Sequence, residues 1–143
     1  MPQATQEDAR LLLQVYDMRR EARLRQARDF FGRQLKFKDY ADFNKRYPQS
    51  SKGAAHVAML LGYWDTVCTL VDKGLLNAEL FQSTTFEHVS VWFKLKPVIE
   101  GWRKDYQYPS FAASVEAVAK AHPGAASYMQ WEAEAAAKPK KKK

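Results

Sequence analysis

The segment AAHVAMLLGYWDTVCTLVDKG, residues 54–74, constrains this chain more than any other. Wound as a helix, it carries apolar side chains around much of its circumference, and such a helix has to be buried by its neighbours. Its ends are marked. PQSSKG before it is a turn, Ser50 or Ser51 can cap its first turn, and Gly74 closes it with Lys73 near the negative end of the helix dipole. The rest of the chain should therefore pack around this one element.

The flanking segments also read as helices. Thr5 suits an N-cap, and Asp8 three residues later completes an acidic capping box. No Gly or Pro follows until Gly32, and Leu11, Leu12, Val15, Met18 and Ala22 recur at helical spacing. This predicts a single first helix of roughly 26 residues, about 40 Å long at 1.5 Å per residue, stopped by Gly32. A short helix is expected over 38–46, with Tyr40 and Phe43 on one side and Pro48 beyond its end. Asn77 should cap another short helix that runs through Phe81. From Thr84 a longer apolar-periodic stretch reaches Trp102, and Pro97 inside it either kinks one helix or divides two at Lys96. Ser110 is expected to cap a helix through Ala121, with Phe111, Val115 and Val118 as its buried row. Pro123-Gly124 breaks the chain, and 125–137 favours helix, anchored by Tyr128, Met129 and Trp131.

The fold class is thus read as all-α: a compact bundle of six or seven helices over residues 5–137. Residues 1–4 are expected to be flexible, and the Lys-rich end, 138–143, to be disordered for want of apolar side chains. The expected core comprises Leu12, Val15, Met59, Leu60, Trp64, Val67, Leu70, Val71, Phe81, Val89, Trp92, Leu95, Ile99, Phe111, Val115 and Val118. A chain of 143 residues with 46% hydrophobic residues suits one domain with a proper core. No stretch is read as approaching the ~20 apolar residues of a bilayer span, and the N-terminal residues lack a secretory pattern. Cys68 is the only cysteine, so no intramolecular disulfide can form, and a cytoplasmic setting fits.

The formal charge of +7 is unevenly spread, because five of those charges sit on lysines in the last six residues. A second concentration, residues 17–47, holds ten Lys/Arg against five acids. Residues 48–137 have seven basic and nine acidic groups, so the body is close to neutral.

Three segments, in this order, resemble a family of small helical bacterial proteins known as a domain of unknown function. They are YDMRREARLRQARDFF, then YWDTVCTLVDKGLLNAELF, then Trp92, Pro97 and Arg103 within VWFKLKPVIEGWRKD. The likeness covers about residues 12–105. It implies an α-helical fold and a bacterial source, and transfers no activity.

The residues with chemical potential are few. His56, His88 and His122 lie far apart in the chain and form no metal-ligand spacing, so surface or capping roles are expected and no metal or cofactor. Cys68 falls on the apolar face of the central helix and should be inert. Tyr63-Trp64-Asp65 is the richer cluster. A carboxylate in mid-helix among apolar neighbours needs a partner, which Arg103 or an arginine of the first helix could supply. The leading reading is a structural ion pair; the sharper one is a polar spot in an aromatic pocket with Trp92 and Trp102. The basic helix, with Arg19, Arg20, Arg23, Arg25 and Arg28, reads first as a solvated face laced with the local pairs Glu21–Arg25 and Arg25–Asp29. Together with Lys138, Lys140, Lys141, Lys142 and Lys143 it could also contact a polyanion, although no nucleic-acid-binding motif is present.

The function expected from this inventory is a non-enzymatic helical interaction or scaffold domain, with a protein partner or self-association through the long first helix. The alternative is a nucleic-acid accessory protein that uses the Arg-rich helix and the Lys-rich tail. No catalytic constellation is found, so an enzyme is not expected.

Overall fold

The computed structural model describes residues 2–138, which are helical almost throughout and contain no strand. Eight α-helices occur among them: α1 (Gln6–Met18), α2 (Ala22–Asp29), α3 (Tyr40–Arg46), α4 (Lys52–Asp72), α5 (Ala78–Thr84), α6 (Glu87–Asp105), α7 (Ala113–Ala121) and α8 (Ala125–Ala137). A π-helical turn, Phe30–Gln34, extends α2. Of the basic tail expected to be disordered, 138–143, only Lys138 is described; residues 139–143, with Lys140, Lys141, Lys142 and Lys143, lie outside the described residues.

α4 is the central element. Ser51 caps it through the Ala54 amide at 3.2 Å, and it ends at Gly74, whose φ of 75° is the left-handed conformation that suits glycine. Val57, Leu60, Leu61, Trp64, Val67, Cys68 and Val71 are buried along it, and it packs most extensively on α7 and α2. By length and composition α4 is apolar enough to cross a membrane, contrary to the sequence expectation. In the fold, part of that apolar surface is covered by its helical neighbours.

The first helix is not continuous. It stops at Met18, and Glu21 starts α2, its carboxylate accepting the Leu24 amide at 3.0 Å. The Glu21–Arg25 pair expected on one helix face is thereby lost, and the carboxylate caps instead. The long helix proposed for self-association is therefore two shorter ones. Gly32 does not stop the second of these. The chain widens there into the π-turn, with the Leu35 amide bonded to the Phe30 carbonyl at 2.9 Å, which lets Phe30, Phe31 and Leu35 all turn inward.

Other boundaries differ for local reasons. α6 passes through Pro97 as one helix. Asn77 caps α5 as expected, but the helix runs on to Thr84. Ser110 caps nothing: α7 begins after Ala112, which is left-handed at φ 58°. The Pro2 carbonyl, in the segment expected to be flexible, accepts a hydrogen bond from Asn77.

Most of the expected core is buried, with two kinds of exception. Met59 is 40% exposed because it falls on the outer side of α4, while Leu12, Leu70 and Phe111 are only partly covered. Phe43, Leu61, Leu76 and Val98 are fully buried additions. Among the polar side chains, His88 is completely enclosed.

A candidate ligand-binding cleft

Arg19 and Arg28 are half-buried and do not belong to a freely solvated face. Both reach Glu87 at the start of α6. Arg28 makes a two-pronged pair with it at 2.8–3.0 Å, and Arg19 approaches to 3.5 Å. The Trp64 indole also donates to Glu87, at 3.1 Å. The hydrogen bond to Glu87 holds the Arg28 guanidinium above its ordinary pKa. One carboxylate thus joins α1, α2, α4 and α6. Arg20, Arg23 and Arg25 remain exposed and make no ion pair among the described residues, and Lys138 is exposed at the end of α8.

Asp65 and Arg103 do not meet. Asp65 accepts the Val115 amide at 3.1 Å, so a carboxylate from α4 satisfies the first turn of α7 that its own N-cap residue, Ala112, leaves bare. Arg103 donates to the Phe111 carbonyl at 2.7 Å and pairs with Glu116 at 2.9 Å. Both side chains therefore grip the start of α7 from opposite neighbours. Trp92, fully buried, has the Arg103 guanidinium and the Lys120 ammonium over its ring, 5.6 and 5.5 Å from the ring centre. The Tyr63 hydroxyl donates to the Val15 carbonyl at 2.5 Å, and burial pushes its pKa up to about 12. These groups hold helices together and do not surround an opening. Burial raises the Cys68 thiol pKa far above its usual range, as expected of an inert cysteine.

Folding gathers two of the three histidines. The His88 and His122 rings lie 5.6 Å apart. His88 Nε2 is 2.8 Å from Gln82 Oε1, and His122 Nε2 is 3.1 Å from the Thr85 carbonyl while its Nδ1 accepts the Gly124 amide. Desolvation, reinforced by His122, lowers the His88 pKa to about 3. Among the described residues no group of three or more metal-ligating side chains converges.

The opening the sequence did not announce lies elsewhere, between α3, the first turns of α4 and the C-terminal end of α6 with the segment after it. It is an open cleft of about 580 Å³. Its rings form a continuous series. Tyr47 touches Phe43, Phe43 meets Trp102, Trp102 meets Phe111, and Phe111 meets Tyr108, with centroid separations of 5.4, 6.1, 5.9 and 6.3 Å. Phe43 is buried at the base, whereas Tyr106 and Tyr108 stand 60% and 55% exposed at the rim. Tyr40 closes the other side, its hydroxyl donating to Asp105 at 2.5 Å. Asn44, Gln49, Ala54, Ala55 and Ala58 complete the lining.

Two glycines seat the tyrosines. A Cβ at position 101 would overlap the Tyr40 ring, and one at position 53 would overlap the Tyr47 ring. Each ring lies directly on helix backbone. The segment that carries Tyr108 and Phe111 is bounded by two left-handed residues that are not glycine, Gln107 at φ 51° and Ala112 at φ 58°. Such conformations cost about 1–2 kcal/mol each and concentrate at ligand sites. The Arg103 bond to the Phe111 carbonyl holds this segment in place.

The family described as Domain of unknown function (DUF4760) matches residues 4–122. The chain belongs to this family. The match is wider than the stretch that carried the resemblance, takes in every residue of the cleft and ends before α8. No curated protein and no solved structure matches the chain.

Proposed function

We propose that this member of the DUF4760 family is a non-enzymatic interaction domain that binds its ligand in the aromatic cleft. The observation that carries the reading is an opening of about 580 Å³, within the usual range for ligand pockets, walled by a series of rings with a few polar groups. Aromatic side chains supply large contact area at low entropy cost, which is why binding surfaces favour them. Among the described residues Asp105 is the only carboxylate in the lining, and no histidine, cysteine or serine accompanies it. A binding role therefore draws on what the lining offers, whereas acid–base or nucleophilic chemistry needs a partner for that carboxylate.

The alternative, contact with nucleic acid or another polyanion, ranks second. Of the five arginines it drew on, Arg19 and Arg28 are committed to Glu87, which leaves Arg20, Arg23 and Arg25 together with the tail.

The test is a fragment screen by NMR on the full chain, with neutral, anionic and cationic aromatic compounds. Saturable shifts should appear at the Trp102 indole and at Tyr108, and Ala55→Trp, which fills the cleft from an exposed position of α4, should remove them. Shifts that are absent at these residues, or that persist in Ala55→Trp, would end the reading.

A further inference from the structure

We propose that the cleft selects an organic cation, an N-alkylated ammonium carried on an aryl or extended apolar body; this rests on the binding reading above. Three observations point there. The first is charge. The chain carries a formal +7, yet among the described residues no lysine, arginine or histidine lines the cleft, and the one ionisable acid or base there apart from the tyrosine hydroxyls is Asp105. The nearby arginines are held elsewhere: Arg103 by the Phe111 carbonyl and Glu116, Arg46 by Asp42. An anion would meet a carboxylate with no cation to balance it.

The second observation is the wall. The faces of aromatic rings carry negative potential, with tryptophan the strongest, and a cation within about 6 Å of a ring centre is attracted to it. Trp102 lies at the middle of the ring series, with Phe43 and Phe111 on its two sides at 6.1 and 5.9 Å. Asp105 stands at the rim with Tyr40. Rings and carboxylate therefore favour the same sign of charge.

The third observation is the balance of polar groups and space. A primary ammonium has three N–H groups to satisfy, and rings are weak acceptors. An alkylated ammonium presents methyl or methylene groups to the walls instead. A cleft of about 580 Å³ exceeds what an ammonium head alone fills, so the ligand includes an apolar body lying along the rings.

The experiment titrates the full-length protein with benzyltrimethylammonium, benzyl alcohol and benzoate at matched ionic strength, followed through the Trp102 indole resonance and by calorimetry. The cation should bind at least about five-fold more tightly than the alcohol, a difference of about 1 kcal/mol, and benzoate should bind least. Asp105→Asn and Tyr108→Ala, both at exposed positions, should each weaken the cation at least three-fold and leave the fold intact by circular dichroism. Equal or tighter binding of the alcohol or benzoate, or an Asp105→Asn variant that binds the cation unchanged, would overturn the cation inference and leave the cleft as a binding site. If none of the three probes perturbs Trp102 in the cleft, and the fragment screen is also blank there, both readings fall together.

Discussion

Asp65 shows how one side chain can look like a site and be a fastener. Its carboxylate is half-buried on α4 and accepts the Val115 amide, in place of the capping side chain that Ala112 lacks. Asp65→Ala should lower stability by about 1 kcal/mol, the usual loss for a helix cap, seen as a lower melting temperature. Asp65→Asn keeps an acceptor oxygen and should recover most of that loss, whereas an ion pair would not tolerate the neutral side chain. The need for a partner was legible from the sequence, because a mid-helix carboxylate among apolar residues has to be satisfied. Which partner was not, since Val115 lies fifty positions away and its free amide depends on a backbone turn at Ala112 that no alanine advertises. Glu87 was invisible for the same reason: Arg28 is fifty-nine residues from it.

Among the elements, those with strong local signals were read closely. Thr5 with Asp8, Ser51, Gly74 and Asn77 set their helix ends as expected, because caps act within a few residues. The break between α1 and α2 was missed because glutamate is not a usual cap and nothing in REARLRQ forbids a continuous helix. The cleft was missed because its walls come from α3, α4 and the segment after α6, which no periodicity links. One signal was present in outline. Gly101 interrupts an otherwise apolar-periodic helix, and such a glycine often marks a close approach by another group. Gly101→Ala should push the Tyr40 ring off α6 and break its bond to Asp105. The expected loss is about 1–3 kcal/mol, typical of forced packing, with a matching change in the Tyr40 resonances. An unaltered melting temperature together with unaltered Tyr40 shifts would show that the seat is not needed.

At the scale of the whole molecule, stability should depend on pH through His88. The folded chain keeps this imidazole neutral down to about pH 3, while the unfolded chain protonates it near the ordinary histidine value of about 6.5. Above that value both states hold a neutral ring and the contribution is complete. As the pH falls below it, only the unfolded state takes up the proton, so stability declines by up to about 1.4 kcal/mol per pH unit until the folded pKa is reached. Chemical denaturation between about pH 6 and pH 4 should therefore show a steeper loss for the natural chain than for His88→Leu. Any difference in absolute stability between the two does not affect the comparison of slopes. Equal slopes would mean that the enclosed ring accepts its proton without opening the fold.

The rings that line the cleft also divide labour. Phe43 lies in the core, and Tyr40 and Tyr47 rest on backbone, so changing any of them disturbs the frame. Tyr106 and Tyr108 project into solvent, Tyr108 touching only the edge of the series at Phe111. A relative could therefore exchange those two rings and acquire a different preference at almost no expense to folding, which makes the rim the natural place for members of this family to diverge.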